Sequence, residues 1–439
     1  VTKKTLPKIT VRLDKIVGGG QTIATEDSGR KLFVWGGLPD ELVEVQLTKK
    51  KSKQAEGVVV KVIEPSEKRV IPRDPGSYLS TSPWQIMDFA SEQHFKSALI
   101  EEAFELHNIV LPEPIGVFTD ENQYEYRNKI EFSWWWNKES EQLDLAFFRR
   151  GSHGKIPVEG TSLARPCINK AALDLRDLLR LKPGISAFML KTVIVRCDGR
   201  GSVAMQLYVK DQSIAHLTES ELESLKKSAN VIGFELIYSN PQSPASVVTK
   251  RLQSWGETSL TDTIFDIPFN YTVDGFFQIN IPVYVQALSD MKQWVNKDKP
   301  TVDLYSGVGT IGLTIGGDKV TLVEINENAV NETRRNIKTS SNNKSAKVVL
   351  SSSESALEYI SADATIIVDP PRAGLHKDVI DKLLVESPAR IIYLSCNPVT
   401  QARDVALLSE KYGILYHRGY NFFPKTPHIE HLVILDLKK

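Results

Sequence analysis

The sequence predicts a multidomain chain in three parts: a small β-barrel, an α+β middle, and an α/β C-terminal domain built on a doubly covered parallel sheet. Three patterns predict this. Five short alternating runs crowd into residues 8–66, the spacing of a small antiparallel barrel. Helical and strand-like segments then mix without a fixed rhythm up to about residue 261. From about 262, Val/Ile/Leu runs alternate with helices, as in a parallel sheet buried on both faces. At roughly 100–200 residues per domain, 439 residues leave room for three cores. The boundaries read 1–68, 69–261 and 262–439.

The barrel strands are "KITVRLDKIV", "GQTIATE", "KLFVWG", "ELVEVQLTK" and "AEGVVVKVIEPS". Between the last two stands Lys49-Lys50-Lys51-Ser52-Lys53, either a solvated hairpin tip or a phosphate contact. Residues 67–90 are rich in Pro and Ser and read as irregular chain. Residues 91–109 have helical spacing, with Ser91 as the expected N-cap, and are read as packing on the C-terminal domain. Strands "YRNKIEFSWWW" and "LDLAFFRRG" follow, then the helix "NKAALDLRDLLRL" and three more strands. Here Arg127, Lys129, Arg149, Arg150 and Lys155 interleave with Tyr126, Phe132, Phe147 and Phe148. Such a mixture can grip phosphate and stack on bases, though strand alternation assigns half of these aromatics to a core. The C-terminal runs are "TVDLYS", "VTLVEIN", "KVVLS", "TIIVDPP" and "RIIYLSCNP". Two strands without a helix between them, "GILYHRGYNFF" and "IEHLVILDL", predict an antiparallel hairpin at the sheet edge.

Lys+Arg and Asp+Glu are equal at 54 each, so any nucleic-acid binding must use local patches. Cys167, Cys197 and Cys396 are the three cysteines and none forms a Cys-x-x-Cys pair, which gives no support to a cysteine metal site. Sparse thiols fit a reducing cytoplasm. There is neither a leader-like start nor a run of about 18 apolar residues, so a cytoplasmic monomer away from membranes is expected.

In open α/β sheets, ligands bind beyond the carboxyl ends of the strands. The first strand ends in Asp303-Leu304-Tyr305-Ser306-Gly307-Val308-Gly309-Thr310, whose small residues let a ligand approach the next helix. The second ends in Glu324, placed to accept from a ribose diol. No third glycine completes a dinucleotide fingerprint, and no phosphate loop occurs, so the pair suits S-adenosylmethionine better than NAD or ATP. The fourth strand ends in Asp369-Pro370-Pro371-Arg372 and the fifth in Cys396. A lone strand-end cysteine is more often a buried structural thiol than a nucleophile, but this one shares the ligand edge. A thiolate beside a methyl donor suggests methylation of a pyrimidine carbon. Addition of sulfur to uracil C6 makes C5 enolate-like, so that C5 takes the methyl before a base removes its proton. An ordinary thiol, with a pKa of about 8.5, is mostly protonated at neutral pH, so the site is expected to favour the anion.

The stretches "FFQIN" (276–280), "DLYSGVGTIGL" (303–313), "DPPRAGL" (369–375), "SCNPVTQARD" (395–404) and "PKTPHIE" (424–430) resemble, in that order, the RNA uracil-5-methyltransferases acting on tRNA and rRNA. The N-terminal barrel resembles that family's TRAM domain, an OB-like barrel. "YRNKIEFSW" and "LAFFRRGSHGKIPVE" resemble its central RNA-binding domain. The resemblance implies a Rossmann-like class I methyltransferase domain that uses S-adenosylmethionine. It implies that Cys396 attacks C6, that Glu430 removes the C5 proton, and that Asp369 contacts the uracil and lines the methionine end of the cofactor site. Gln278, Tyr305, Thr310 and Glu324 fall at cofactor positions, Thr310 standing where Asn is more common. Lys49, Lys50, Lys51, Lys53, Arg127, Arg149 and Arg150 are the candidate RNA contacts, and Arg403 and Asp404 are expected to brace the catalytic loop. Many members hold an iron–sulfur cluster on four cysteines. The matching positions here are Asp74, Ser80, Pro83 and Thr161, so no cluster is expected, and Tyr78, Trp84 and Phe89 are expected to pack in its place. The competing readings are a catalytically idle RNA chaperone on the same fold and an RNA cytosine-5 methyltransferase.

Overall fold

The computed structural model describes residues 6–438 except 27, 153, 245 and 340–344. The N-terminal unit is a curled, open six-stranded sheet, a half-barrel rather than a closed barrel. Its strands are Lys8–Arg12, Lys15–Ile16, Thr22–Thr25, Lys31–Trp35, Leu42–Lys50 and Gln54–Glu64. The sequence pattern merged the first two. They separate because the Leu13 amide donates to Glu41 O and the Asp14 amide to Ile23 O, which turns the chain. The sheet is also not wholly antiparallel, since Lys31–Trp35 runs parallel to Gln54–Glu64. Alternate residues such as Val43, Val45 and Leu47 fill its core with Leu32 and Val34, as the two-residue period requires. Gly57 is needed where the strands cross, because a Cβ there would lie 2.3 Å from Val45 Cγ1. Buried Glu41 ties the sheet to the next segment, accepting from the Leu38 and Ser66 amides and from Arg69.

The stretch read as irregular contains a short helix, Tyr78–Thr81. The following helix is Phe89–Glu105, and its cap is Asp88 rather than Ser91: the Asp88 carboxylate accepts from the Ser91 amide at 2.8 Å. A central seven-stranded sheet follows, with helices Pro166–Leu181 and Glu219–Ala229 against one face. Of its four interleaved aromatics, Tyr126, Phe132 and Phe147 are buried and Phe148 alone is exposed. The other face meets a hairpin that the sequence pattern did not show, Ser259–Ile264 with Ile267–Thr272. The first of these strands runs through the boundary drawn at 262.

The C-terminal sheet has eight strands. In spatial order they are Lys347–Leu350, Val320–Glu324, Thr301–Leu304, Thr365–Val368, Arg390–Ser395, Glu430–Leu437, Tyr412–Tyr420 and Val117–Phe118. The first five are mutually parallel, and strand order reverses between Thr301–Leu304 and Thr365–Val368. The last long pair is antiparallel but does not form the edge: Val117–Phe118 adds beyond it, parallel to Tyr412–Tyr420. Helix Phe89–Glu105 packs on the same body, with Ile100, Ala103 and Phe104 in one core with Val433 and Leu435. Among the described residues no helix is long and apolar enough to cross a membrane.

Candidate active site

Where strand order reverses, the carboxyl ends of two neighbouring strands splay and leave a crevice. A cavity of about 900 Å³ opens there, lined by Gln278, Tyr284, Tyr305, Gly307, Thr310, Glu324, Asp369, Arg372, Cys396, His428 and Glu430 among others. All three expected catalytic residues and all five expected cofactor residues, Asp369 belonging to both sets, therefore share one cavity.

Cys396 lies one residue past Arg390–Ser395. The Asn397 amide donates to Ser395 Oγ at 3.2 Å, and Asn397 Nδ2 donates to Arg372 O at 2.8 Å. Pro398 opens helix Pro398–Leu408, with Asn397 as its extended cap. Ser395 faces His431 on the antiparallel neighbour, so one step further along the ladder Cys396 stands beside Glu430. Asp369 follows Val368, whose partner is Tyr393. Three adjacent strands thus deliver the thiol and both carboxylates to one edge. Arg403 and Asp404 brace the turn after Asp369. Arg403 donates to Ala373 O, while Asp404 accepts from the Leu375 amide and from the Tyr393 hydroxyl.

Electrostatics corrects one expectation. The Cys396 thiol is pushed up to about 11, first by burial and then by the nearby charges of Glu430 and Asp369, with Arg372 acting in the opposite sense. By itself this pocket disfavours the thiolate. Burial also raises both carboxylates, and Asp369 raises Glu430 further. Two carboxyls in one dry site favour holding a proton between them.

The cofactor positions are built differently. Tyr305 adopts φ 64° and Gly307 φ 55°, so the strand breaks sharply after Leu304. A Cβ on Gly307 would meet nothing within 4 Å, which leaves open room beside the backbone. Glu324 is anchored by the Gly307 amide at 2.9 Å and the Asn326 amide at 2.7 Å, yet each oxygen keeps a free lone pair. Thr310 shares a 2.8 Å hydrogen bond with the Tyr284 hydroxyl. Among the described residues the buried Ser306 hydroxyl has no partner. These groups fit the nucleoside end of a cofactor. Among the described residues no three His, Cys, Asp or Glu side chains are grouped to hold a metal ion.

The basic candidates divide. Lys50, Lys51 and Lys53 are exposed, but Lys49 pairs with Glu56 at 3.1 Å. Arg149 is exposed. Arg150 is not a free cation: it stacks 4.0 Å over Trp35 and donates to Leu79 O. Arg127 lies against Tyr126 and donates to its hydroxyl. Arg127 and Arg150 nevertheless lie within electrostatic reach of His428, although neither lines the cavity. At the positions expected to carry cluster cysteines, Thr161 Oγ1 donates to Asp74 at 3.1 Å, and Asp74 also accepts from Ser162 and Gln85. A polar tie spans the loop, and two of the expected aromatics, Tyr78 and Trp84, pack into one apolar cluster beside it. Trp84 is buried against Ile86 and Met87, while Phe89 meets Lys425. Sequence reasoning passed over His428 and Tyr284, although His428 stands two residues before Glu430 in the quoted motif.

Fold and site together define an RNA methyltransferase. The model of the tRNA (uracil-5-)-methyltransferase family matches residues 92–438, and the chain belongs to that family. It is 28% identical to an uncharacterized RNA methyltransferase of Enterococcus faecalis over 425 residues, covering 92% of each chain. A Fusobacterium nucleatum relative described in the same words is also 28% identical, covering 98% of this chain and 96% of its own. The crystal structure of Pyrococcus abyssi tRNA (uracil-54, C5)-methyltransferase with S-adenosyl-L-homocysteine has the same fold. Its TM-score is 0.77 at 21% identity, over 97% of this chain and all of that one.

Proposed function

We propose that this chain methylates C5 of one uridine in structured tRNA or rRNA, with S-adenosylmethionine as donor and a covalent Cys396–C6 adduct as intermediate. One observation carries the reading: adjacent strands bring Cys396, Glu430 and Asp369 to the cavity that Gln278, Tyr305, Thr310 and Glu324 also line. Bound along Gln278, Tyr305, Thr310 and Glu324, the cofactor would supply an electrophilic methyl group.

The residues divide the proton traffic. Glu430 must be ionised when the C5 proton leaves, so it cannot also hold the thiol proton. That proton goes to Asp369, already raised by burial. Neutralising Asp369 also removes the repulsion that adds to burial in raising Glu430, which favours Glu430 as the base. The Cys396 sulfur bonds to C6, C5 takes the methyl, and Glu430 then accepts the C5 proton as the C6–S bond breaks and the double bond returns. C6 is unreachable inside a stacked helix, so the base must flip out. The half-barrel and the central sheet are assigned to RNA binding. Lys50, Lys51, Lys53 and Arg149 hold the backbone outside, and Arg127 and Arg150 add positive charge within reach of His428.

No iron–sulfur cluster is part of this reading, because Asp74, Ser80, Pro83 and Thr161 supply no thiolate. The purified protein is expected to be colourless and free of iron; stoichiometric iron would contradict this. The deciding experiment is tritium release from C5 of labelled uridine in RNA from a strain lacking the enzyme, with S-adenosylmethionine, followed by mapping of the methylated uridine. Release is expected from wild type and not from Cys396→Ala. Activity surviving in that variant would sink the mechanism.

A further inference from the structure

The addition step leaves one requirement without an owner. As sulfur joins C6, negative charge develops on uracil O4, and a fixed donor there lowers the barrier. Resting on the uridine reading above, the geometry points to His428 as that donor, and through it to His428 as the residue that tells uracil from cytosine.

His428 lines the cavity with Cys396, Asp369 and Glu430. Its amide donates to Thr426 Oγ1 at 3.3 Å, and the ring stands edge-on to Phe423 with centroids 5.9 Å apart. Its Nδ1 faces Arg372 Nη2 at 3.5 Å. A guanidinium can only donate, so Nδ1 is the acceptor and the proton sits on Nε2. Among the described residues Nε2 has no partner. Burial, helped by the cations Arg372, Arg127, Lys96 and Arg150, holds the ring's pKa down to about 4, so it stays neutral at working pH.

A neutral ring whose acceptor nitrogen is occupied can only donate through the other. Uracil offers a carbonyl oxygen at position 4 and accepts. Cytosine offers an amine there, and two donors would face each other in a dry site, which is costly. Gln278, another polar side chain on the cavity wall, has an amide that can turn to donate or accept. It cannot discriminate in this way.

The test uses a synthetic RNA fragment spanning the mapped uridine, carrying uridine, 4-thiouridine or cytidine at that site. His428→Leu is expected to lower kcat on uridine by about 100-fold, the scale of one lost oxyanion donor, with KM little changed. Wild type should slow when sulfur, a weaker acceptor, replaces O4, and His428→Leu should not respond to that exchange. His428→Gln, which restores an amide donor, should recover part of the rate and begin to accept cytidine. Equal slowing of wild type and His428→Leu by 4-thiouridine, or wild-type kcat in His428→Leu, would overturn the assignment while leaving the uridine reading intact. A wild type that methylates no uridine in any RNA would remove both. The exchange of oxygen for sulfur is read first on the wild-type enzyme, so a poorly folding variant does not shield the inference.

Discussion

At the scale of single residues, the thiol and its two carboxylates are poised against one another. Burial, and after it Glu430, hold Cys396 near 11, so mass-resolved alkylation of Cys396 in the free enzyme should show a midpoint near that value. Glu430→Gln should move the midpoint down towards the ordinary thiol value of about 8.5. The same substitution should stall turnover after methyl transfer, leaving a methylated protein–RNA adduct visible on a denaturing gel. A loss of about 10²–10⁴ in rate is expected for a missing general base. Asp303 gives a stability test. Burial raises it to about 8, above the unfolded value of about 3.9. Its contribution is therefore full below pH 4 and lost as pH rises through 8. Asp303→Asn keeps an oxygen for the Gly312 amide and should weaken that decline, measured by urea unfolding at pH 5 and pH 8.5; an unchanged pH dependence would contradict it.

At the scale of elements, the loop over 72–85 depends on Asp74. Asp74→Ala strands the Ser162 amide and removes the acceptor of the Ser162 and Thr161 hydroxyls, while the Gln85 amide keeps Ser82. A loss of about 1–3 kcal/mol is expected, read from urea midpoints, and a change below a few tenths would show that the tie is ornamental. The meeting of Cys396 and Glu430 at one sheet edge was legible in the sequence because an apolar run, a proline and a rare thiol coincide at 391–398, and because Glu430 closes a distinct motif. Other features were not legible. Asp88 competes with Ser91 for the same helix start, and only the extended backbone at Asp88 decides it. Lys15–Ile16 is two residues long, too short for any alternation to show. Arg150 reads as an exposed cation until Trp35, more than a hundred positions earlier, is found beneath it. The thiol's raised pKa depends on two carboxylates brought from other strands, which no local pattern encodes.

At the scale of the whole molecule, binding and folding both cross the sequence-drawn boundaries. Replacing Lys50, Lys51 and Lys53 with Gln should reduce the slope of log affinity against log salt by about 2–3, and an unchanged slope would remove the hairpin tip from the RNA path. A fragment of residues 257–439 lacks Ile100, Ala103 and Phe104 from its core and lacks the edge strand Val117–Phe118. It should show no cooperative unfolding until residues 86–118 are supplied in trans, and a stable fragment alone would refute that dependence. The join runs deepest at Lys96, which is wholly buried, pairs with Glu92 and donates to Asn421 Oδ1 at 2.5 Å and to Phe423 O at 3.1 Å. The segment that leads into Glu430 is thereby pinned by a helix made 325 residues earlier. At roughly 5–20 residues per second, a ribosome needs about a quarter of a minute to a minute to cover that interval. Throughout it the helix waits with Lys96 and an apolar face not yet covered by residues 421–435, and the stretch translated later closes the body around the earlier one.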